Sequence, residues 1–215
     1  MCPNRFLEGA RVFTDVGRAA FGSGRKILVA PEVRILRTRS QKGRRIGKVD
    51  FIIAKVDDRE QINDFAALEV QAVYFSGGSI RPAFDTFLRT GRVPDNSSRR
   101  LDYRSSAQKR LMPQLSLKVP VFRRWGKRFF VAVDSLFFEN LPAFKTVNSL
   151  ENSEITWVVY GFQKSGEGFT MGEPKLVFTV WEDVLSALRE GQEPTLAEIV
   201  VEIAASQHSL AKFVT

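Results

Sequence analysis

Acidic side chains interrupt two apolar stretches of the sequence that otherwise have the pattern of β-strands. Asp50 lies inside the apolar run 49–54, and Glu69 and Gln71 stand two positions apart within the apolar stretch 65–75. Because side chains two positions apart in a strand point to the same face, Glu69 and Gln71 are predicted to share one. A carboxylate is costly to bury among apolar side chains unless a cation or a hydrogen-bond donor lies nearby. The pattern therefore predicts a site for a divalent metal ion.

Glu32 is the only acid in the preceding apolar stretch, 26–36, which is predicted to be a strand bent at Pro31. If this strand and the Asp50 strand form a hairpin, Glu32 could face Asp50 across it. The alternative is a surface salt bridge between Glu32 and a neighbouring arginine. The sequence leaves both interpretations open.

Elements that would position these side chains follow along the chain. Apolar runs predict strands at 128–133, 155–162 and 175–180. Apolar residues at helical spacing predict helices at 81–90, 101–125, 181–190 and 195–210, and a short helix or a pair of turns at 6–21. The expected fold class is α/β, with a central mixed sheet of about five strands flanked by helices. Two prolines, Pro113 and Pro120, predict a kink or break in the helix at 101–125. The apolar stripe of the last helix is predicted to pack against the body of the protein or against a second subunit.

The charge of the chain is unevenly distributed. The 215 residues carry a net charge of +8, and seven basic residues but no acid lie between Arg34 and Val49. Between Arg99 and Arg128 there are ten basic residues against one acid, whereas six acids and one arginine occupy the stretch from Glu182 to Glu202. Two basic blocks beside the acidic strands predict a groove for nucleic-acid phosphates. Ordinary solvated surfaces are the alternative explanation.

Several side chains in the basic blocks have the chemistry that contacts phosphates and base edges. The predicted DNA-contacting residues are Arg37, Arg39, Lys42, Arg44 and Arg45 at the tip of the first hairpin, and Arg99, Arg100, Arg104, Gln108, Lys109 and Arg110 near the helix that follows. Serines near that helix are equally explained as helix caps.

Length and composition predict a single domain over residues 1–215, with or without a small appendage. Its expected parts are an N-terminal helical segment (1–24), a core with the acidic strands and the basic helix (25–142), and additional strands and C-terminal helices (143–215). No apolar run approaches the length of a membrane span, and the single cysteine favours a reducing, cytoplasmic location. The lone histidine, His208, and the lack of a Gly-x-Ser-x-Gly sequence argue against hydrolases of other kinds.

An aspartate followed nineteen residues later by Glu-Val-Gln resembles the core motif of the PD-(D/E)xK nucleases, with Gln71 at the usual lysine position. Longer stretches resemble the NotI-type restriction endonucleases and are much more specific. They are CPNRFLE (2–8), LEVQAVYFSGG (68–78), DYRSSAQKRLMPQL (102–115) and VFRRWGKRFFVAVDSLFF (121–138). The resemblance covers residues 2 to about 142, roughly two thirds of the chain.

This resemblance implies a Mg2+-dependent type II restriction endonuclease, with Mn2+ as an alternative ion, that cuts double-stranded DNA at a specific sequence. Asp50, Glu69 and the backbone carbonyl of Val70 would hold the ion, because Mg2+ prefers oxygen ligands. Gln71 matches the NotI type and could orient the attacking water through its amide, although it carries no charge. Glu32 would bind a second ion or relay a proton.

The resemblance also implies an N-terminal iron site with four cysteines, and here the sequence departs from the family. Only Cys2 could correspond to one of them, and one thiol cannot build a tetrahedral thiolate site. The expectation is that the iron is missing from this chain or that further cysteines lie upstream of Met1.

The partners expected from the resemblance are double-stranded DNA, a second copy of the chain in a homodimer, and a cognate DNA methyltransferase in the same cell. A palindromic site would match the two-fold symmetry of such a dimer. Two other interpretations stay open. The protein could be a DNA-binding module without catalytic activity, or a nuclease of the same fold that acts on RNA or other nucleic-acid structures.

Overall fold

A computed structural model describes residues 6–37, 45–76, 81–92, 100–103, 106–166, 168–189 and 195–205. Within these ranges the strands are β1 (Ile27–Arg37), β2 (Arg45–Val56), β3 (Ile62–Val70), β4 (Tyr74–Ser76), β5 (Arg100–Asp102), β6 (Phe129–Asp134), β7 (Ile155–Tyr160), β8 (Phe162–Ser165), β9 (Gly168–Met171) and β10 (Lys175–Thr179).

The helices are named in the same way, in chain order. They are α1 (Arg11–Phe21), α2 (Arg81–Thr90), α3 (Met112–Arg124), α4 (Ser135–Glu139), α5 (Trp181–Arg189) and α6 (Leu196–Ala205). A short 3-10 turn (Glu8–Ala10) precedes α1, and a π-helical turn (Ser106–Leu111) leads directly into α3. None of the helices in the described ranges combines the length and the apolar composition needed to cross a bilayer.

Six strands form the central sheet in the order β1-β2-β3-β6-β7-β10. β1, β2 and β3 pair antiparallel, β3 pairs parallel with β6 and β6 with β7, and β10 pairs antiparallel with β7. The predicted α/β class with a mixed central sheet is confirmed, with six strands in it. Two further two-stranded sheets, β4-β5 and β8-β9, stand apart from it.

Helices cover both faces of the sheet, which explains why β6 and β7 are buried along their whole length. On one face, Leu115 and Phe122 of α3 and Val184 of α5 share a buried cluster with Trp157. On the other face, Val12 and Val16 of α1 pack in a second buried cluster that includes Tyr160. The sheet therefore lies between α3 and α5 on one side and α1 on the other.

The strand predicted at 65–75 is shorter at its C-terminal end than the sequence suggested. β3 ends at Val70, one more ladder bond joins the backbone N–H of Gln71 to the carbonyl of Ala132 at 2.9 Å, and the chain then leaves the sheet before β4. The apolar residues Ala72 and Val73 are buried without being in a strand. Their apolar character made the strand look continuous.

The helix predicted at 101–125 is divided into a strand, a π-helical turn and α3. Pro113 lies in the first turn of α3, where a missing backbone N–H is tolerated. Pro120 lies inside α3, which continues through it to Arg124. The helix is therefore not broken at Pro120, and the irregular part of the predicted helix, the π-helical turn, lies ahead of Pro113.

Candidate active site

Asp50 on β2 and Glu69 on β3 are neighbours across the sheet. The register pairs Phe51 with Leu68, and its continuation by one residue sets Asp50 opposite Glu69. Residues directly opposite each other in an antiparallel pair point to the same face. The side chain of Glu69 is buried and that of Asp50 is half-buried. The two acids that the sequence singled out are therefore brought together.

Each of these carboxylates is fixed by a backbone N–H of the other strand. The backbone N–H of Val70 donates to Oδ2 of Asp50 at 2.9 Å, and the backbone N–H of Asp50 donates to Oε1 of Glu69 at 3.2 Å. The other two oxygens, Oδ1 of Asp50 and Oε2 of Glu69, accept no hydrogen bond from any described residue. One oxygen of each carboxylate is thus anchored, and one is left for a ligand.

A buried lysine that sequence reasoning missed completes this cluster. Lys118 of α3 is 4% exposed, and its Nζ donates to Oε1 of Glu69 at 2.7 Å. Its Nζ also donates to Oε1 of Gln114, on the exposed side of α3, at 3.1 Å. A signal for Lys118 exists in the sequence, because it occupies an apolar helical stripe with Leu111, Leu115 and Phe122.

The electrostatics of Glu69 point to a shortage of positive charge. Burial, together with the neighbouring carboxylate of Asp50, raises the pKa of Glu69 to about 7, and Lys118 offsets only part of this effect. A second cation beside Glu69 would favour the ionised form of its carboxylate.

These residues fit a hard divalent ion. The two unanchored carboxylate oxygens come from facing residues, and oxygen ligands with water are what Mg2+ prefers. No group of three or more acidic, histidine or cysteine side chains that could hold a metal ion occurs within the described ranges. Beyond Asp50 and Glu69, further ligands would have to be water, phosphate oxygens or a backbone carbonyl such as that of Val70.

Gln71 lies just past the end of β3 and is buried. Its Nε2 donates to the backbone carbonyl of Ala72 at 2.7 Å, and its backbone N–H donates to the carbonyl of Ala132 at 2.9 Å. The side-chain amide therefore already has one partner in the chain, and its role toward a water molecule stays a prediction.

Glu32 lies between two register pairs of β1 and β2, Pro31 with Phe51 and Val33 with Val49, and so stands opposite Asp50. Its backbone is left-handed, with a φ of 54°. Its exposed carboxylate accepts a hydrogen bond from Nζ of Lys48 at 2.6 Å. The structure therefore contains the salt bridge that was the alternative interpretation, with a lysine in place of an arginine. A role toward a second ion or a proton stays a prediction.

The predicted DNA-contacting residues are only partly described. Gln108 is half-buried, and Lys109 and Arg110 are exposed, all on the π-helical turn ahead of α3. For three others the structure gives only strand positions, and these are Arg37, Arg45 and Arg100. Outside the described residues lie Arg39, Lys42, Arg44, Arg99 and Arg104, together with Cys2 and His208.

Comparison with known protein families gives a match over most of the chain. The family model described as "Restriction endonuclease NotI" matches residues 1–172 of the 215-residue chain. Among proteins with curated descriptions, none matches the chain. The family match extends through β9 and so includes Asp50, Glu69, Gln71 and Lys118.

Proposed function

Because the chain belongs to the NotI restriction endonuclease family, we propose that it cuts both strands of duplex DNA at a specific sequence, with Mg2+ as cofactor. The observation that carries the proposal is the pairing of Asp50 and Glu69, each with one carboxylate oxygen anchored by the other strand and one left for an ion. Mn2+, which accepts similar ligands, is expected to replace Mg2+.

Asp50 and Glu69 would hold the metal ion, with the carbonyl of Val70 as a further ligand. When bound, the ion would lower the pKa of a coordinated water and neutralise charge on the phosphate. Gln71 would orient the attacking water by hydrogen bonding, because an amide can accept or donate but cannot carry charge. Lys109 and Arg110, exposed on the π-helical turn, would hold the DNA backbone.

A homodimer is part of the proposal, because two strands of a palindromic site require two active sites related by a two-fold axis. The last helix supports it. Leu196, Val200 and Val201 of α6 are 81%, 55% and 67% exposed, so this apolar surface does not pack against the described body of the chain. A cognate methyltransferase would protect the host DNA from such an enzyme.

The test is a digestion of mixed-sequence duplex DNA by the purified chain with Mg2+, with EDTA as the control, followed by sequencing of the fragment ends. Discrete fragments whose ends share one sequence are expected. Single-stranded DNA and RNA are added as competitors, and preferential inhibition by either would instead favour a nuclease for that substrate. A gel shift without cleavage under all metal conditions would support the DNA-binding module, in which Glu69 serves in its salt bridge with Lys118.

A further inference from the structure

Lys118 is a charged side chain in a place that the fold would fill with an apolar one. It lies in the buried stripe of α3 between Leu115 and Phe122, which are fully buried. Taking an ammonium group out of water costs several kcal/mol, and a well-packed apolar residue often replaces a buried ion pair without loss of stability. Stability of the fold therefore does not explain why a lysine stands here.

The contacts of Lys118 identify what it does. Its Nζ donates to Oε1 of Glu69 at 2.7 Å, which is the same oxygen that the backbone N–H of Asp50 reaches at 3.2 Å. With two donors on Oε1, the carboxylate of Glu69 has a fixed rotation, and Oε2 is the oxygen left for a ligand. The bond to Gln114 at 3.1 Å holds the ammonium group from its other side.

We propose that Lys118 is a positioning residue of the metal site, which holds Oε1 of Glu69 so that Oε2 faces the ion beside Asp50. This inference rests on the proposed function. It also explains how position 71 can be occupied by an uncharged glutamine. The positive charge that a lysine at position 71 would bring is supplied instead by Lys118 on α3. Hydrogen-bonding partners of metal ligands fix the orientation of those ligands in this way.

The experiment compares Lys118→Met with Arg124→Met. Both variants remove one positive charge from α3, but Arg124 is exposed on the last turn. Mn2+ binding to each folded variant is measured by electron paramagnetic resonance without DNA, and cleavage is measured against Mn2+ concentration. For Lys118→Met, the Mn2+ affinity is expected to fall about tenfold or more, while cleavage at saturating Mn2+ recovers to within about threefold of the wild type.

Arg124→Met is expected to bind Mn2+ with the affinity of the wild type. Lys118→Arg keeps a charged donor, so it is expected to recover most of the Mn2+ affinity that Lys118→Met loses. A purely structural lysine would lower the amount of folded protein without changing its Mn2+ affinity. Unchanged or tighter Mn2+ binding by Lys118→Met therefore overturns the inference. If that variant does not fold, Lys118→Leu, which likewise has no donor, is measured in its place and judged by the same result.

The two proposals fail in different ways. A wild type that cuts DNA, together with a Lys118→Met variant that binds Mn2+ equally well, contradicts only the role of Lys118. A wild type that binds Mn2+ but never cuts DNA contradicts the proposed function. In that case, the ratio of the Mn2+ affinities of the wild type and Lys118→Met still tests the positioning role of Lys118.

Discussion

At the scale of single residues, the site consists of two neighbouring acids whose charges are only partly compensated by the residues around them. Asp50 and Glu69 face each other across two strands, and only Lys118, among the described residues, brings an opposing charge to the buried member. Because the pKa of Glu69 is raised to about 7, chiefly by burial, the metal-free protein holds a carboxylate that is partly protonated at neutral pH. A cation that enters the site would shift Glu69 toward its ionised form.

This charge arrangement predicts a pH-dependent stability difference between the wild type and Glu69→Gln in EDTA. The folded pKa of Glu69 is above its ordinary value of 4.5, so the folded state binds the extra proton and stability falls as pH rises from about 4.5 through 7. Relative to Glu69→Gln, the wild type should lose about 3 kcal/mol of unfolding free energy over this window. Urea denaturation at several pH values measures the difference, and parallel profiles for the two proteins would contradict it.

Asp50, Glu69 and Gln71 could be predicted from the sequence because each polar side chain interrupts an apolar run, and burial of such a group needs an explanation. Lys118 is not predicted because it lies in a basic stretch, where one more cation is interpreted as part of the exposed basic surface. Only the helical register, which sets it in line with Leu111, Leu115 and Phe122, separates it from the exposed cations nearby. Glu32, which accepts the hydrogen bond from Lys48, has a left-handed backbone. The sequence does not predict this conformation, because residues other than glycine rarely adopt it.

At the scale of elements, α1 is fastened to the sheet by a polar cluster on the face opposite α3. The buried carboxylate of Asp15 accepts hydrogen bonds from Tyr160 and Arg18, each at 3.0 Å. Burial and the Asp15 carboxylate raise the pKa of Tyr160, so its hydroxyl stays a donor at any working pH. Glu173, just after β9, pairs with the same Arg18 at 3.4 Å and with Arg11 at 3.0 Å.

Replacing Asp15 by Ala should lower the unfolding free energy by about 2–3 kcal/mol, because the buried hydroxyl of Tyr160 loses its partner. Glu173→Ala is the matched control. Its carboxylate is 77% exposed, so its removal should cost less than about 1 kcal/mol. Chemical denaturation measures the unfolding free energies of Asp15→Ala and Glu173→Ala. Equal losses of stability in the two variants would mean that Asp15 does not connect α1 to the sheet.

The π-helical turn and α3 form the element expected to lie along the DNA. Replacing Lys109 or Arg110 by Ala should weaken DNA binding, and the slope of log affinity against log salt concentration should fall by about one unit for each phosphate that is no longer neutralised. Lys145→Ala is a suitable control, because Lys145 is 87% exposed and pairs with Asp183 of α5. Titrations at several salt concentrations measure the slope, and an unchanged slope for both Lys109→Ala and Arg110→Ala would remove this turn from the DNA interface.

Most elements could be predicted from the sequence, because apolar periodicity reports burial and burial follows the strands and helices. α1, α2 and α5 lie where the pattern predicted helices. Apolar periodicity gave a wrong strand end where residues are buried without pairing to another strand. Ala72 and Val73 are such residues, because they are buried beyond the last ladder bond of β3. Strand pairing depends on partners that are distant in the sequence, such as β6, so the local sequence does not predict where pairing ends.

At the scale of the whole molecule, the net charge of +8 and the two basic blocks suit a protein that associates with a polyanion. Two copies on one duplex are expected. Sedimentation of the chain with a short duplex that contains its site, in Ca2+ to prevent cleavage, should give two protomers for each duplex. A single protomer on the cognate duplex would contradict the dimer and the palindromic site together.

The proposed function requires that Asp50 and Glu69 form a metal centre at which DNA is cut. Its most direct test is a side-by-side measurement of cleavage and binding for the wild type and Asp50→Asn, on the same duplex with Mg2+. Asp50→Asn keeps the shape of the side chain and its acceptor for the Val70 N–H but removes the charge. The wild type should cut, and the variant should bind the duplex with equal or higher affinity while its cleavage rate falls at least about a hundredfold. Cleavage by Asp50→Asn at the wild-type rate would contradict the claim.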